Sequence, residues 1–198
     1  MIAAIVLAAG QSRRMGTQKL LLPFAGQTVI AHLLDQIKQS HCEQILVVVS
    51  SNNLLHSVLL EKEVDVVENP DAFSDMLGSV RIGLQNLSVD CEAAIITPGD
   101  FPLIQTALIN EMIAVFRARN QIVVPVYKEQ RGHPLLVPRR YFHEVLTSYD
   151  NVGLRGLLQS HANDLCELKV DATGVLQDID VPADYQEALK KWSHEMAP

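Results

Sequence analysis

The stretch Leu7-Ala8-Ala9-Gly10-Gln11-Ser12-Arg13-Arg14-Met15-Gly16-Thr17-Gln18-Lys19 follows an apolar run from Met1 to Val6. That run reads as a buried strand beginning at the first residue. A strand that breaks into a glycine-bearing loop and then a helix is a recurrent way to hold phosphate. Small side chains let the backbone approach a ligand, and amide N–H groups supply positive potential. Ala8, Ala9 and Gly10 are small enough for that approach, and Ser12 adds a hydroxyl. Arg13, Arg14 and Lys19 bring fixed positive charge to the same few residues. The loop suits a polyphosphate. It is not a Walker loop, because five residues separate Gly10 from Gly16 and Lys19 comes later. Nor is it a dinucleotide fingerprint, since no glycine stands two residues after Gly10.

Outward from this loop, apolar strand runs alternate with helical stretches. Lys19 to Phe24 reads as a short extended segment, with Ala25-Gly26-Gln27 as a turn. Thr28 caps a helix to about Ser40, with Val29, Leu33, Leu34 and Ile37 on one face. Gln44 to Ser50 is a second strand with the β-branched run of a parallel sheet covered on both faces. A short helix over Asn52 to Leu60, a strand over Val64 to Val67 and a helix from about Gly78 through Leu87 follow. Ala93 to Thr97 is a strand that ends in Pro98-Gly99-Asp100-Phe101-Pro102. Beyond it the pattern predicts a helix over Thr106 to Arg119, strands over Ile122 to Val126 and His133 to Val137, and helices over Arg139 to Leu146 and Gly153 to Ser160. Late strands at Glu167 to Val170 and Asp178 to Asp180 precede a closing helix, Ala183 to His194, behind Pro182. This alternation implies right-handed βαβ units in an α/β fold: a doubly wound, mostly parallel sheet with helices on both faces. No linker or repeat interrupts residues 1–198, so one domain is expected. Ligands of such sheets bind beyond the carboxyl ends of the strands, where the strand order switches.

The formal charge of −7 argues against general nucleic-acid binding, but not against a nucleotide held by a few local basic residues. The opening segment lacks the basic start of a signal peptide, and no apolar run has the length of a membrane span. Cys42, Cys91 and Cys166 form no C-x-x-C pair and read as free thiols of a cytoplasmic protein.

Three further places carry candidate chemistry. An apolar strand delivers Asp100 into a constrained loop, where a carboxylate either holds Mg²⁺ or caps the next helix. Asp178 and Asp180, two apart on an expected strand, would point to one side; two carboxylates so close call for a cation, unless they mark a solvent-facing strand end. Gly78 and Ser79, near a helix start, suit either close approach of a nucleoside or simple capping. His133 beside Pro134 reads by default as a loop-orienting hydrogen bonder, and the other six histidines show no ligand spacing.

The segment Leu7 to Lys19 resembles the signature L-A-A-G-x-S-x-R-M-G-x-x-K of the MobA-like nucleotidyltransferases, most closely their molybdenum cofactor cytidylyltransferase branch. Gly99-Asp100, Gly132-His133-Pro134 and Asp178-Ile179-Asp180-Val181-Pro182-Ala183-Asp184 follow in family order. The resemblance implies a Rossmann-like nucleotidyltransferase fold and a Mg²⁺-dependent reaction (Mn²⁺ in its place). In that reaction the phosphate of molybdopterin attacks a nucleoside triphosphate and pyrophosphate leaves. It gives nucleotide contacts to Leu7, Ala8, Ala9, Gly10, Ser12, Arg13, Arg14, Lys19, Ser79 and Gly99, with Lys19, Arg14 and Asp100 as the catalytic set. It gives metal contacts to Asp100, Asp178 and Asp180, and an acceptor side to Arg131, His133 and Arg155, with Asp184 starting the last helix. Ala9, where the guanylyltransferase branch carries a second glycine, favours CTP. Transfer of GMP, transfer to a sugar, polyol or carboxylate phosphate, and a non-catalytic cofactor carrier serving a molybdoenzyme such as xanthine dehydrogenase stay open at this point.

Overall fold

The computed structural model describes residues 1–10, 15–51, 54–71 and 75–195. Its strands are β1 (Ile2–Ala8), β2 (Pro23–Phe24), β3 (Gln27–Thr28), β4 (Gln44–Ser50), β5 (Asp65–Asn69), β6 (Ala93–Pro98), β7 (Ile122–Tyr127), β8 (Gln130–Arg131), β9 (Leu135–Pro138) and β10 (Leu165–Lys169). Its helices are α1 (Val29–Lys38), α2 (His56–Glu61), α3 (Met76–Gln85), α4 (Thr106–Arg119), α5 (Phe142–Thr147), α6 (Leu154–Ser160) and α7 (Pro182–Glu195).

The main sheet runs β10-β7-β9-β6-β1-β4-β5, with β8 hairpinned onto β7. β1 pairs in parallel with both β4 and β6, and β4 with β5. β9 enters between β6 and β7 antiparallel to both, so every other strand on this path keeps one direction. β1 is central because its residues are apolar and small. Alternate side chains of a strand face opposite ways. Ile2, Ala4, Val6 and Ala8 accordingly pack in the layer that holds Leu33 of α1, Leu59 of α2, Ile109 of α4 and Ala188 of α7. Ala3 and Ile5 face the other layer, with Val80 of α3, Val145 of α5 and Leu157 of α6. Helices thus cover both faces, as the alternation of apolar runs predicts.

The chain leaves β1 toward β4 and β5, then returns to place β6 on the other side of β1. The strand order therefore reverses between β1 and β6, and a crevice opens at their carboxyl ends. The two ends are tied there: Leu7 is in register with Pro98, and the Gly99 N–H donates to the Leu7 carbonyl at 2.9 Å.

Two local expectations need correction. Lys19–Leu21 is a single 3₁₀ turn rather than extended chain. Asp178 to Asp180 belong to no strand: that stretch lies against the Asp100 loop, beyond the end of β6, where no strand of the sheet offers it a ladder. Its amides are satisfied elsewhere. Ile179 N–H donates to the Asp100 carbonyl at 3.1 Å, and the Asp180 and Val181 N–H groups donate to Asp184 Oδ2 at 2.9 and 2.8 Å. Among the described residues no helix is long and apolar enough to cross a membrane. The three cysteines are free, and burial raises the Cys42 thiol to about 11.

Candidate active site

β6 ends at Pro98, and the chain turns at once through Gly99 to Asp100. A Cβ on Gly99 would lie 3.3 Å from the Leu7 carbonyl oxygen and 3.1 Å from Ile30 Cδ1, so glycine is what lets this loop lie against the end of β1. Asp100 is thereby delivered into the crevice without capping a helix, since α4 begins only at Thr106. The Asp178–Asp180 stretch lies against it through the Ile179 bond, with the Ile179 side chain fully buried. Asp178 and Asp180 converge on Asp100 by this route, not by strand alternation. One carboxylate oxygen from each of the three lies within 4.8 Å of the others.

Lys19 reaches into the same group. Its ammonium pairs with Asp100 Oδ2 and, at 2.9 Å, with Asp180 Oδ1. Burial alone would lower its pKa, but Asp100 and then Asp180 outweigh burial, and the ammonium is held above its ordinary value. Asp178 moves up as well, first through burial and then through repulsion by Asp100 and Asp180. Asp100 Oδ1 is buried with no hydrogen-bond partner among the described residues. Three converging carboxylates and a buried oxygen without a partner among the described residues are what a cation site shows, and an all-oxygen donor set suits a hard divalent ion.

Two clefts adjoin at Leu7, Met76 and Pro98, and Lys19 and Asp100 of this cluster line the first of them. The first is lined by Leu7, Ala8, Ala9, Gly10, Lys19, Ser79 and Asp100, with Ser50, Asp71 and Asp75. Ser12, Arg13 and Arg14 lie outside the described residues. Ser79 is buried on the first turn of α3 and accepts a hydrogen bond from Asn69 Nδ2 at 3.0 Å; the α3 cap is Asp75, which receives the Gly78 N–H at 2.9 Å. The sequence reading missed Asn69, Ser50 and Asp71. They stand at or just past the carboxyl ends of β4 and β5, the positions the strand-end rule would have flagged.

The second cleft shares Leu7, Met76 and Pro98 with the first, and brings together Arg131, His133, Gly153 and Arg155. Arg131 is engaged by Glu167 at 2.7 Å. A Cβ on Gly132 would fall 2.2 Å from the Val175 carbonyl oxygen, which also accepts the His133 N–H at 2.8 Å. This holds the His133 ring against Phe101 at 4.8 Å, next to the Asp100 loop. Burial lowers the His133 pKa against the opposing pull of Asp100, and its Nδ1 has no partner among the described residues. Arg81, by contrast, is occupied in joining α3 to the carbonyls of Val145 and Ser148 and to Asp150.

Comparison with known proteins agrees with this geometry. Residues 4–165 match the family model of the MobA-like NTP transferase domain. The chain is 26% identical to the molybdenum cofactor cytidylyltransferase of Escherichia coli, over 97% of both proteins. It is 29% identical to the molybdenum cofactor guanylyltransferase of Mesorhizobium japonicum, over 96% of this chain and 95% of that one. Among solved structures it resembles Rv0371c of Mycobacterium tuberculosis, with a TM-score of 0.82 and 30% identity over 96% of this chain and 97% of that one. A structure of Rv0371c in complex with manganese matches with a TM-score of 0.78 and 28% identity over 96% of this chain and 98% of that one.

Proposed function

The chain belongs to the MobA-like NTP transferase family, and from that premise we propose that residues 1–198 form one domain that transfers CMP from CTP to the terminal phosphate of molybdopterin. The observation that carries this reading is the cluster of Asp100, Asp178, Asp180 and Lys19, of which Lys19 and Asp100 line the nucleotide-side cleft, and that cleft adjoins the acceptor-side one at Leu7, Met76 and Pro98. As a nucleotidyltransferase it needs no strong base, because a phosphate oxygen is already anionic near neutral pH. That oxygen attacks the α-phosphorus, the bond from the α-phosphorus to the bridging oxygen breaks, and pyrophosphate leaves with the electron pair. The protein's task is to align the two phosphates and offset their charge.

Asp100, Asp178 and Asp180 would hold Mg²⁺, or Mn²⁺ in its place; the ion supplies positive charge against the triphosphate. Ala8, Ala9 and Gly10 let the first loop approach the phosphates, and Lys19 offers them its ammonium, with Ser12, Arg13 and Arg14 assigned to the same task by the family signature. Ser79, fixed by Asn69, faces the nucleoside end of that cleft. Arg131, His133 and Arg155, with Gln159, form the polar part of the acceptor wall, and apolar Leu7, Met76, Val152 and Leu158 suit a flat heterocycle beside them. Membership in an enzyme family removes the carrier reading. The preference for CTP rests on Ala9 and on the likeness to the Escherichia coli cytidylyltransferase.

The test is pyrophosphate release from each of the four nucleoside triphosphates, with Mg²⁺ and molybdenum-loaded molybdopterin. CTP-selective turnover that falls on the order of 10² to 10³-fold in Asp100→Ala is the expected result. GTP selectivity would keep the mechanism and overturn the base assignment. Turnover with a sugar or polyol phosphate in place of molybdopterin would overturn the acceptor.

A further inference from the structure

A second role for Lys19 follows, resting on the reading of Asp100, Asp178 and Asp180 as the group that holds a divalent cation. The ammonium touches Asp100 Oδ2 and lies 2.9 Å from Asp180 Oδ1. These two residues supply two of the three carboxylates whose oxygens fall within 4.8 Å of one another. Lys19 and Asp100 are only 13% and 14% exposed, so solvent screens their charges weakly. A divalent cation drawn to these oxygens meets a like charge at contact range and competes with it for the same lone pairs. Lysine is suited to yield, being a point charge on a flexible four-carbon stem. It also has somewhere to go, because Lys19 lines the cleft shared with Ala8, Ala9 and Gly10, on the side where phosphates are expected.

We infer that Lys19 is a built-in counter-ion of the carboxylate cluster and competes with the divalent cation for Asp100 and Asp180. Free protein then binds a bare cation weakly, and a triphosphate that draws the ammonium away opens the carboxylates to it. Cation and nucleotide therefore favour each other's binding, by reciprocal coupling. A lysine that merely organises the cluster makes the opposite prediction: its removal would let the carboxylates spread and weaken the cation.

Titration with Mn²⁺ followed by electron paramagnetic resonance, without nucleotide or turnover, separates the two. Lys19→Gln keeps a hydrogen-bond donor, one bond shorter, but no charge, and should bind Mn²⁺ about tenfold or more tighter than wild type. Lys19→Met should do the same if Lys19→Gln does not fold, and Lys19→Arg, still charged, should stay near wild type. Equal or weaker Mn²⁺ binding by the neutral variants overturns the inference, as does tight binding by Lys19→Arg. Asp178→Asn distinguishes this failure from a deeper one. If it loses Mn²⁺ while the lysine variants are unchanged, only the competition is wrong; if it too is unchanged, the cation assignment falls with it.

Discussion

Two clusters of charged side chains in this protein are built on opposite principles. Around α5 and α6 every acid is matched. Asp164 accepts from Tyr141 and pairs with Arg140 at 2.5 Å, and Glu144 accepts from Tyr149 and pairs with His161 at 2.9 Å. Burial would raise Asp164, but Tyr141 and Arg140 outweigh it and hold the carboxyl low; hydrogen bonds from Tyr149 and His161 do the same for Glu144. At the β1–β6 crevice three carboxylates converge, Lys19 pairs with two of them, Asp178 is pushed up, and a buried Asp100 oxygen has no partner among the described residues. A matched cluster is part of the scaffold, whereas a mismatched one waits for a ligand to complete it. That distinction uses no knowledge of the family.

The comparison can be broken at its strongest point first. Asp100→Asn should leave the thermal transition near wild type and reduce pyrophosphate release by about 10² to 10³-fold. A loss of stability with activity retained would reverse the assignment. Gly132→Ala should act on the scaffold instead. With its Cβ 2.2 Å from the Val175 carbonyl oxygen, it should cost about 1 to 3 kcal/mol in urea unfolding. Because the His133 N–H bonds that same carbonyl, the apparent KM for the acceptor phosphate should rise with it. Tyr141→Phe, in the matched cluster, should cost about 1 kcal/mol and leave turnover intact.

The smallest effect concerns pH, and the two clusters should differ in sign. The Glu144 carboxyl is lower in the fold than in the unfolded chain, so its contribution is present above the ordinary glutamate value and is lost as pH falls through the lowered one. The Asp178 carboxyl is higher in the fold, so its penalty is absent in acid, grows as pH rises past the ordinary aspartate value, and is complete above the raised one. Without divalent cations, Asp178→Asn should therefore melt slightly higher than wild type near neutral pH and lose that advantage on acidification. Glu144→Gln should melt lower near neutral pH and converge with wild type in acid. Thermal melts from about pH 2 to about pH 8 read both slopes.

Much of this was legible in the chain itself. Continuous β-branched runs such as Gln44–Ser50 and amphipathic stretches such as Thr106–Arg119 carry their periodicity locally, and both appear with the expected bounds. Thr28 caps α1 as its hydroxyl chemistry predicts, receiving the Ala31 N–H at 3.3 Å. The strand-end rule placed the loop after Leu7 and Asp100 in one crevice before any strand order was known. The same rule covers Ser50, Asn69 and Asp71, at or just past the ends of β4 and β5. The 178–180 stretch was misread as a strand because alternating apolar and acidic residues look alike whether or not a neighbour offers a ladder.

By itself the sequence determined the α/β alternation, the small-residue loop beside a basic cluster, and the acids available for a cation. These are matters of side-chain chemistry and of spacing over a few residues. Only the tertiary structure decided which acids share a site and with what cation. Lys19 and Asp180 are separated by 161 positions, and they meet because Ile179 packs into the core and its N–H bonds the Asp100 carbonyl. Contacts of that range depend on how the sheet orders its strands and on which loops its strand ends bring together, and no local pattern encodes either.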